Sequence, residues 1–227
     1  MTSFQDLLEG DVIAEEIDPD ARLDPLLPDE QALVERAVDK RIREFRAGRH
    51  CAHRALARLG LPLTPLLNAP TRAPRWPPGV VGSITHCAGR AAAVVARASS
   101  QASLGIDVEP DLPIERKLWS TIARERELAW LDRLAPSRAG NLAKLLFSCK
   151  ESFFKLQFPI TQQMLGFEAV ELQLDEVLLA PRGVFSLTIL HDLPSPFRRG
   201  ERLVGRFCCS SGLVRTAMQL PASGPPW

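Results

Sequence analysis

The sequence predicts an α+β protein of two similar lobes. A stretch with helical periodicity followed by short apolar runs occurs twice, over 30–108 and again over 120–220. The runs in 167–220 have strand composition and polar turns, which predicts a mostly antiparallel sheet. No exact repeat accompanies this twofold order.

Taken in order, residues 29–59 place Leu33, Ala37, Ile42, Phe45, Ala52, Ala55, Leu56 and Leu59 at mostly three- and four-residue intervals. That spacing predicts one long amphipathic helix, or two with a break at Gly48, ended by Gly60 and Pro62. The prolines of 61–79 forbid regular structure and hold an extended connection. "VVGSITH" and "RAAAVVARA" flank a His-Cys-Ala-Gly turn and predict a hairpin, and "LGIDVEP" is a further strand stopped by Pro110. "RERELAWLDRL" and, more strongly, "NLAKLLFSCKESFFKL" are helical. "VELQLDEV", "FSLTILHDL", "RLVGRFCCSS" and "LVRTAMQL" complete the second set of strands.

At 227 residues the chain can bury a sizeable core. It has no apolar run of transmembrane length, and its start lacks the basic and apolar regions of a signal peptide, so a soluble, cytoplasmic protein is expected. Five cysteines without a C-x-x-C pair read as free, mostly buried thiols rather than a zinc site. A formal net charge of +1 argues against a protein that coats nucleic acid. The charge is nevertheless segregated: residues 1–30 carry ten acids against Arg22 alone, whereas 36–58 carry eight bases against Asp39 and Glu44. Such a basic block suits nucleic acid, a phosphorylated small molecule or only solvent.

Alternation along a strand sets Asp107 and Glu109 on one face, with Ile106 and Val108 on the other. Two such carboxylates repel unless a cation or base lies between them, and a hard divalent ion such as Mg²⁺ meets that need. A D-x-E pair taken alone more often marks a solvated strand face. In "FSCKESFFK", Glu151 and Lys155 are i, i+4 neighbours on a helix face shared with Phe147, with Lys150 on the adjacent flank. Acid and bases there suit a metal-phosphate site, with Glu151 as ligand or proton acceptor and Lys150 and Lys155 offsetting phosphate charge. An ordinary surface ion pair has the same spacing. Arg41, Arg49 and Arg54 on the basic helix, Arg72 in the proline-rich connection, and Thr85 with His86 at a strand end extend the phosphate theme. Neither a P-loop nor a dinucleotide fingerprint is present, and no G-x-S-x-G or H-E-x-x-H occurs.

In sequence order, "KRIREFRAGRHCAHRAL", "RAPRWPPGVVGSITHCAG", "GIDVEP" and "FSCKESFFKLQFP" with "LGFE" after it resemble the 4′-phosphopantetheinyl transferases of the surfactin-synthetase-activating type, in the branch of the enterobactin synthetase component and the actinobacterial activators. The resemblance runs from about residue 36 to 220. It implies a pseudo-dimer of two α/β halves, 1–102 binding the coenzyme A nucleotide and 103–227 carrying the metal carboxylates and catalytic helix, with the active site between them. It implies that Asp107, Glu109 and Glu151 hold Mg²⁺, or Mn²⁺, against the pyrophosphate of coenzyme A. The phosphopantetheine arm then passes to a serine of an acyl, peptidyl or polyketide carrier domain, releasing adenosine 3′,5′-bisphosphate.

By the same resemblance, Glu151 is the general base and Lys155 neutralises the leaving phosphate. Arg41, Arg49, Arg54, Arg72, Thr85 and His86 fall where the family binds the nucleotide, and a monomer that binds neither nucleic acid nor membrane is expected. Three departures stand out: residues 1–35 match no motif, Phe154 stands where a relative carries tyrosine, and Arg72 stands where relatives often carry lysine. Carrier proteins are acidic around their serine, and Phe158, Met164, Leu165 and Phe167 are expected to supply apolar docking contact. A catalytically inert binding module and a hydrolase that gives the arm to water are the competing readings.

Overall fold

The computed structural model describes residues 3–173 and 180–222. A 3-10 turn at Phe4–Leu7 leads into β1 (Ile13–Ile17), helices α1 (Pro28–Ala32) and α2 (Asp39–Arg58), and strands β2 (Val80–Cys87), β3 (Arg90–Arg97) and β4 (Gln101–Pro110). Helices α3 (Trp119–Ile122), α4 (Glu125–Leu131) and the long α5 (Pro136–Thr161) precede β5 (Val170–Leu172), β6 (Arg182–Ile189), β7 (Arg202–Ser210) and β8 (Leu213–Pro221). Of the strand-like run at 170–177, residues 174–177 lie outside the described residues.

The architecture is α+β, as expected. One antiparallel sheet has the order β1-β3-β2 and the other β4-β8-β7-β6-β5. Helix α2 covers the smaller sheet and α5 lies across β4 and β8 of the larger. Between the sheets, Phe4 and Leu7 of the N-terminal segment join Ala92 and Val94 of β3 and Ile106 and Val108 of β4 in one apolar core. At this seam the backbone N–H groups of Ile106 and Val108 each donate over 3.2 Å to the hydroxyls of Ser83 and Thr85 on β2. Side-chain hydroxyls thus satisfy β4 donors on the side away from β8.

The long helix expected over 29–59 is interrupted, but not at Gly48. The chain unwinds into turns over 33–38, between α1 and α2, where Glu30 and Val34 are both turned inward. Gly48 instead sits within continuous helix, because α2 presses on β2 there: a Cβ at this position would lie 2.9 Å from Ile84 Cγ2. Helix α5 exceeds its expected span at both ends, starting with Pro136 in its first turn and ending at Gln162 in a left-handed conformation, φ 56°. Pro159 falls in the last turn of α5, where its ring removes one N–H donor two residues before the helix ends.

The segregated charges meet in space. Glu15 of β1 accepts from Arg54 at 3.0 Å and Arg58 at 2.8 Å, and Glu16 pairs with Arg215 at 3.1 Å. The acidic N-terminal stretch therefore offsets charge on several arginines of the basic helix, Arg43, Arg49, Arg54 and Arg58 among them.

Candidate functional site

Helix α5 crosses β4 at Gly105. A Cβ there would stand 2.0 Å from the Ser152 carbonyl oxygen and 2.7 Å from Leu156 N, so only glycine permits this approach. The crossing sets Ser148, Glu151 and Lys155, spaced by helical turns, toward the carboxylate face of β4. Asp107 is buried; its Oδ2 accepts from Ser148 Oγ at 2.8 Å, and its Oδ1 from Lys155 Nζ at 2.6 Å and Thr85 Oγ1 at 3.2 Å. Lys155 also donates to Thr85 Oγ1 at 3.2 Å, so residues from both sheets and α5 converge on one carboxylate.

Glu109 accepts from Lys144 Nζ at 2.8 Å. Glu151 differs: among the described residues it accepts no hydrogen bond and joins no ion pair, and its i+4 neighbour Lys155 is committed to Asp107. Burial raises the Glu151 pKa above the usual carboxylate value; Lys155 opposes that, while Asp107 and Glu109 add to it. Among the described residues no three carboxylate, histidine or cysteine side chains stand close enough to form a ready metal cage. Two of the three expected ligands are instead held by lysines.

On the other side of the cleft, Arg41, Phe45, Arg49, Asn68, Arg72 and His86 line a small basic pocket. Arg49 is buried, stacks 4.2 Å from the Phe45 ring centroid, and donates from Nε to Leu66 O at 2.8 Å and from Nη2 to Asn68 Oδ1 at 2.6 Å. Burial pushes its pKa down to about 10, with Glu30 offsetting part of the effect, so it stays charged at neutral pH. Arg41 Nη1 lies 3.0 Å from His86 Nε2, and Glu44 stands 3.6 Å from the other ring nitrogen. Burial lowers the His86 pKa, against the pull of Glu44. A cavity of about 430 Å³, walled by Trp76, Ser83, Ile84, Phe154, Lys155 and Phe158, adjoins this pocket through Arg72 and Ile84. Through Phe154 and Met164 it also adjoins the cavity that Glu151 lines. The result is a trough with cations at one end, an apolar middle, and an unpaired carboxylate beyond it.

Four expectations are corrected by this geometry. Thr85, expected at the nucleotide, is buried with its hydroxyl bonded to Asp107, Val108 N and Lys155, and it does not line the basic pocket. Lys150 lines the Glu151 cavity but does not offer its charge to it: its ammonium is buried and donates to Glu127 Oε2 at 2.6 Å and to the Ile122 and Phe167 carbonyls at 3.0 Å, which uses all three N–H groups. Arg54 points to the opposite flank of α2 and pairs with Glu15, so it does not line the basic pocket. Phe158 is 6% exposed and stacks on Phe154, whereas Met164 is 78% exposed, so of these two only the methionine is available for docking.

The structure also adds residues that sequence reasoning missed. Lys144 and Ser148 share a helical face with Glu151 and Lys155, a spacing legible in the sequence. Phe45 had been placed only as an apolar helix position, and nothing in the sequence marks Asn68, whose role depends on a loop folding back onto α2.

Residues 29–96 match the 4′-phosphopantetheinyl transferase N-terminal domain, and residues 103–211 match the 4′-phosphopantetheinyl transferase superfamily. The chain is 44% identical over 208 residues to 4′-phosphopantetheinyl transferase Svp of Streptomyces mobaraensis, covering 90% of this chain and 82% of that protein. It is 38% identical over 222 residues to 4′-phosphopantetheinyl transferase PptT of Mycobacterium tuberculosis, covering 96% and 94% respectively. Enterobactin synthase component D of Escherichia coli is 39% identical over 128 residues, 55% of this chain and 58% of that protein. A basic trough ending in carboxylates and relatives that cover nearly the whole chain agree: the chain belongs to the 4′-phosphopantetheinyl transferase superfamily, enzymes that move the phosphopantetheine arm of coenzyme A onto carrier proteins.

Proposed function

We propose that this chain is a transferase of the surfactin-synthetase-activating type, acting on a serine of acyl, peptidyl or polyketide carrier domains with the help of Mg²⁺ or Mn²⁺. The observation that carries the reading is the unpaired, half-buried Glu151 beside Asp107, Glu109 and Lys155, at the end of a trough that begins with arginines. In this reading 1–102 binds the nucleotide, and 103–227 supplies the carboxylates and α5, the boundary falling near the start of β4.

In this reading the 3′-phosphate end of coenzyme A lies against Arg41, Arg49, Arg72 and His86, and the pantetheine arm runs along the apolar middle of the trough. Asp107, Glu109 and Glu151 would hold the metal; three carboxylates, one without a partner, are a donor set for a hard divalent cation. When bound, that ion supplies positive charge to the pyrophosphate. Glu151 accepts the proton of the carrier serine hydroxyl as the serine oxygen bonds to phosphorus. The bond from phosphorus to the bisphosphate oxygen breaks, and adenosine 3′,5′-bisphosphate leaves. Lys155 donates to the oxygens on which charge accumulates. Such chemistry is mostly positioning and charge stabilisation, which agrees with a site built from fixed cations and carboxylates.

Exposed Met164, with the half-buried Leu165 and Phe167 beside it, is the proposed carrier contact, and the enzyme acts as a cytoplasmic monomer without nucleic acid or membrane. The test is intact-mass spectrometry of an apo carrier protein incubated with the enzyme and coenzyme A, with and without Mg²⁺. A metal-dependent gain of about 340 Da supports the proposal. No gain across several carriers with coenzyme A intact points to a binding module, and no gain with coenzyme A consumed points to a hydrolase.

A further inference from the structure

Glu30 is fully buried on α1, near the start of the N-terminal domain match. Its Oε1 accepts from Leu66 N at 2.8 Å and from His53 Nε2 at 2.8 Å, and its Oε2 from Leu27 N at 3.3 Å. Burial pushes its pKa up, but the bonds from His53 and Leu66 more than offset that, so the group stays below its ordinary value and ionised. Arg49 Nε stands 3.9 Å from the same oxygen and donates to Leu66 O at 2.8 Å. Residue 66 is therefore clamped on both sides, its N–H by Glu30 and its carbonyl by Arg49.

Two residues on, Asn68 takes the Arg49 Nη2 bond, and the backbone then folds back on itself. Ala69 N bonds Ala73 O and Arg75 N bonds Leu67 O, both at 2.8 Å, with Arg72 at the turn in a left-handed conformation, φ 69°. A buried carboxylate is costly unless fully bonded and matched by a countercharge. Here the countercharge is an arginine that lines the basic pocket, and the bonded backbone leads directly to two more pocket residues.

We infer that Glu30 is a positioning residue for coenzyme A: it fixes Arg49 and the loop bearing Asn68 and Arg72, and thereby sets the pocket's grip on the nucleotide 3′-phosphate. This rests on the reading that the pocket takes that end of the substrate. A neutral side chain of the same shape would fill the space without holding the guanidinium, so the charge has a purpose that packing does not require.

The test compares KM for coenzyme A and for dephospho-coenzyme A, which lacks the 3′-phosphate, in the wild-type enzyme, Glu30→Gln and His53→Leu, at saturating carrier protein and with thermal melts of each. In Glu30→Gln, KM for coenzyme A should rise about tenfold, KM for dephospho-coenzyme A should stay unchanged, and kcat should stay within about twofold. Equal changes for both substrates, or a change in melting temperature alone, would overturn the inference, because a merely structural carboxylate does not distinguish them. If Glu30→Gln does not fold, His53→Leu carries the test: a rise of about threefold confined to coenzyme A is expected, and an unchanged ratio overturns it. A wild-type enzyme indifferent to the 3′-phosphate would overturn the pocket assignment, and this inference with it.

Discussion

Lys155 Nζ stands 2.6 Å from Asp107 Oδ1 and makes no ion pair with Glu151, its neighbour one helical turn back. The helix spacing alone would have paired Lys155 with Glu151. The tertiary approach of α5 to β4 overrides that local pairing, and it leaves Glu151 with an open lone pair. That is the condition a general base needs.

Replacing this carboxylate isolates its role. Glu151→Gln is expected to lower kcat by at least about 10²-fold, within the usual range for a general base. Steady-state kinetics with saturating coenzyme A check this, and near-normal turnover would remove Glu151 from the mechanism.

The same substitution should not cost stability at neutral pH. The folded-state pKa of Glu151 lies above its unfolded value, so the carboxyl group favours the fold at low pH, and that contribution is lost as pH rises through the raised pKa. At pH 7 the ionised form is therefore a burden, and Glu151→Gln should melt at the same temperature as wild type or higher. The difference between the two proteins should shrink at low pH, where the carboxyl group is protonated like the neutral amide. Thermal melts across pH, without added divalent metal, are the readout, and a less stable Gln variant at pH 7 would contradict the sign.

A divalent ion held by these carboxylates should stabilise the fold without any substrate. Mg²⁺ at about 100 times its dissociation constant would add about 2.7 kcal/mol, seen as a higher melting temperature. Asp107→Asn should abolish that rise. A rise of equal size in the variant would place the ion elsewhere.

Gly105→Ala should be severely destabilising, because the added carbon meets backbone rather than a movable side chain. A loss of about 1–3 kcal/mol or more is expected from such overpacking, together with loss of activity as α5 shifts from β4. Chemical denaturation measures it.

Lys150→Met separates structure from phosphate binding. It leaves Glu127 buried without its cation and should cost about 3–5 kcal/mol, while a surface role would raise KM with no change in melting. Unaltered stability would restore Lys150 as a ligand contact.

The alternation in "GIDVEP" and the helical spacing of "FSCKESFFK" were enough to place Asp107, Glu109, Glu151 and Lys155 on facing elements. Periodicity is a local property, and these residues lie on regular strand and helix. Arg54 and Lys150 were misplaced because a basic residue on a helix gives no sign of which flank it occupies; the acidic partners that claim them, Glu15 and Glu127, are distant in sequence. Asn68 and Glu30 were illegible for the same reason, since their partners are set by a loop whose path the prolines restrict but do not specify. Gly48 shows the converse error. A glycine in a helix can read as a break, yet here it lies inside continuous helix where α2 packs on Ile84 of β2.

The hydroxyls of Ser83 and Thr85 have one more effect. A strand at the border of a sheet ordinarily offers its unpaired backbone to any passing extended chain, a template for aggregation. β4 borders the larger sheet, but its outward N–H groups at Ile106 and Val108 are already taken by these two side chains. The enzyme thus keeps its most chemically loaded strand at a sheet border without leaving it adhesive to other molecules.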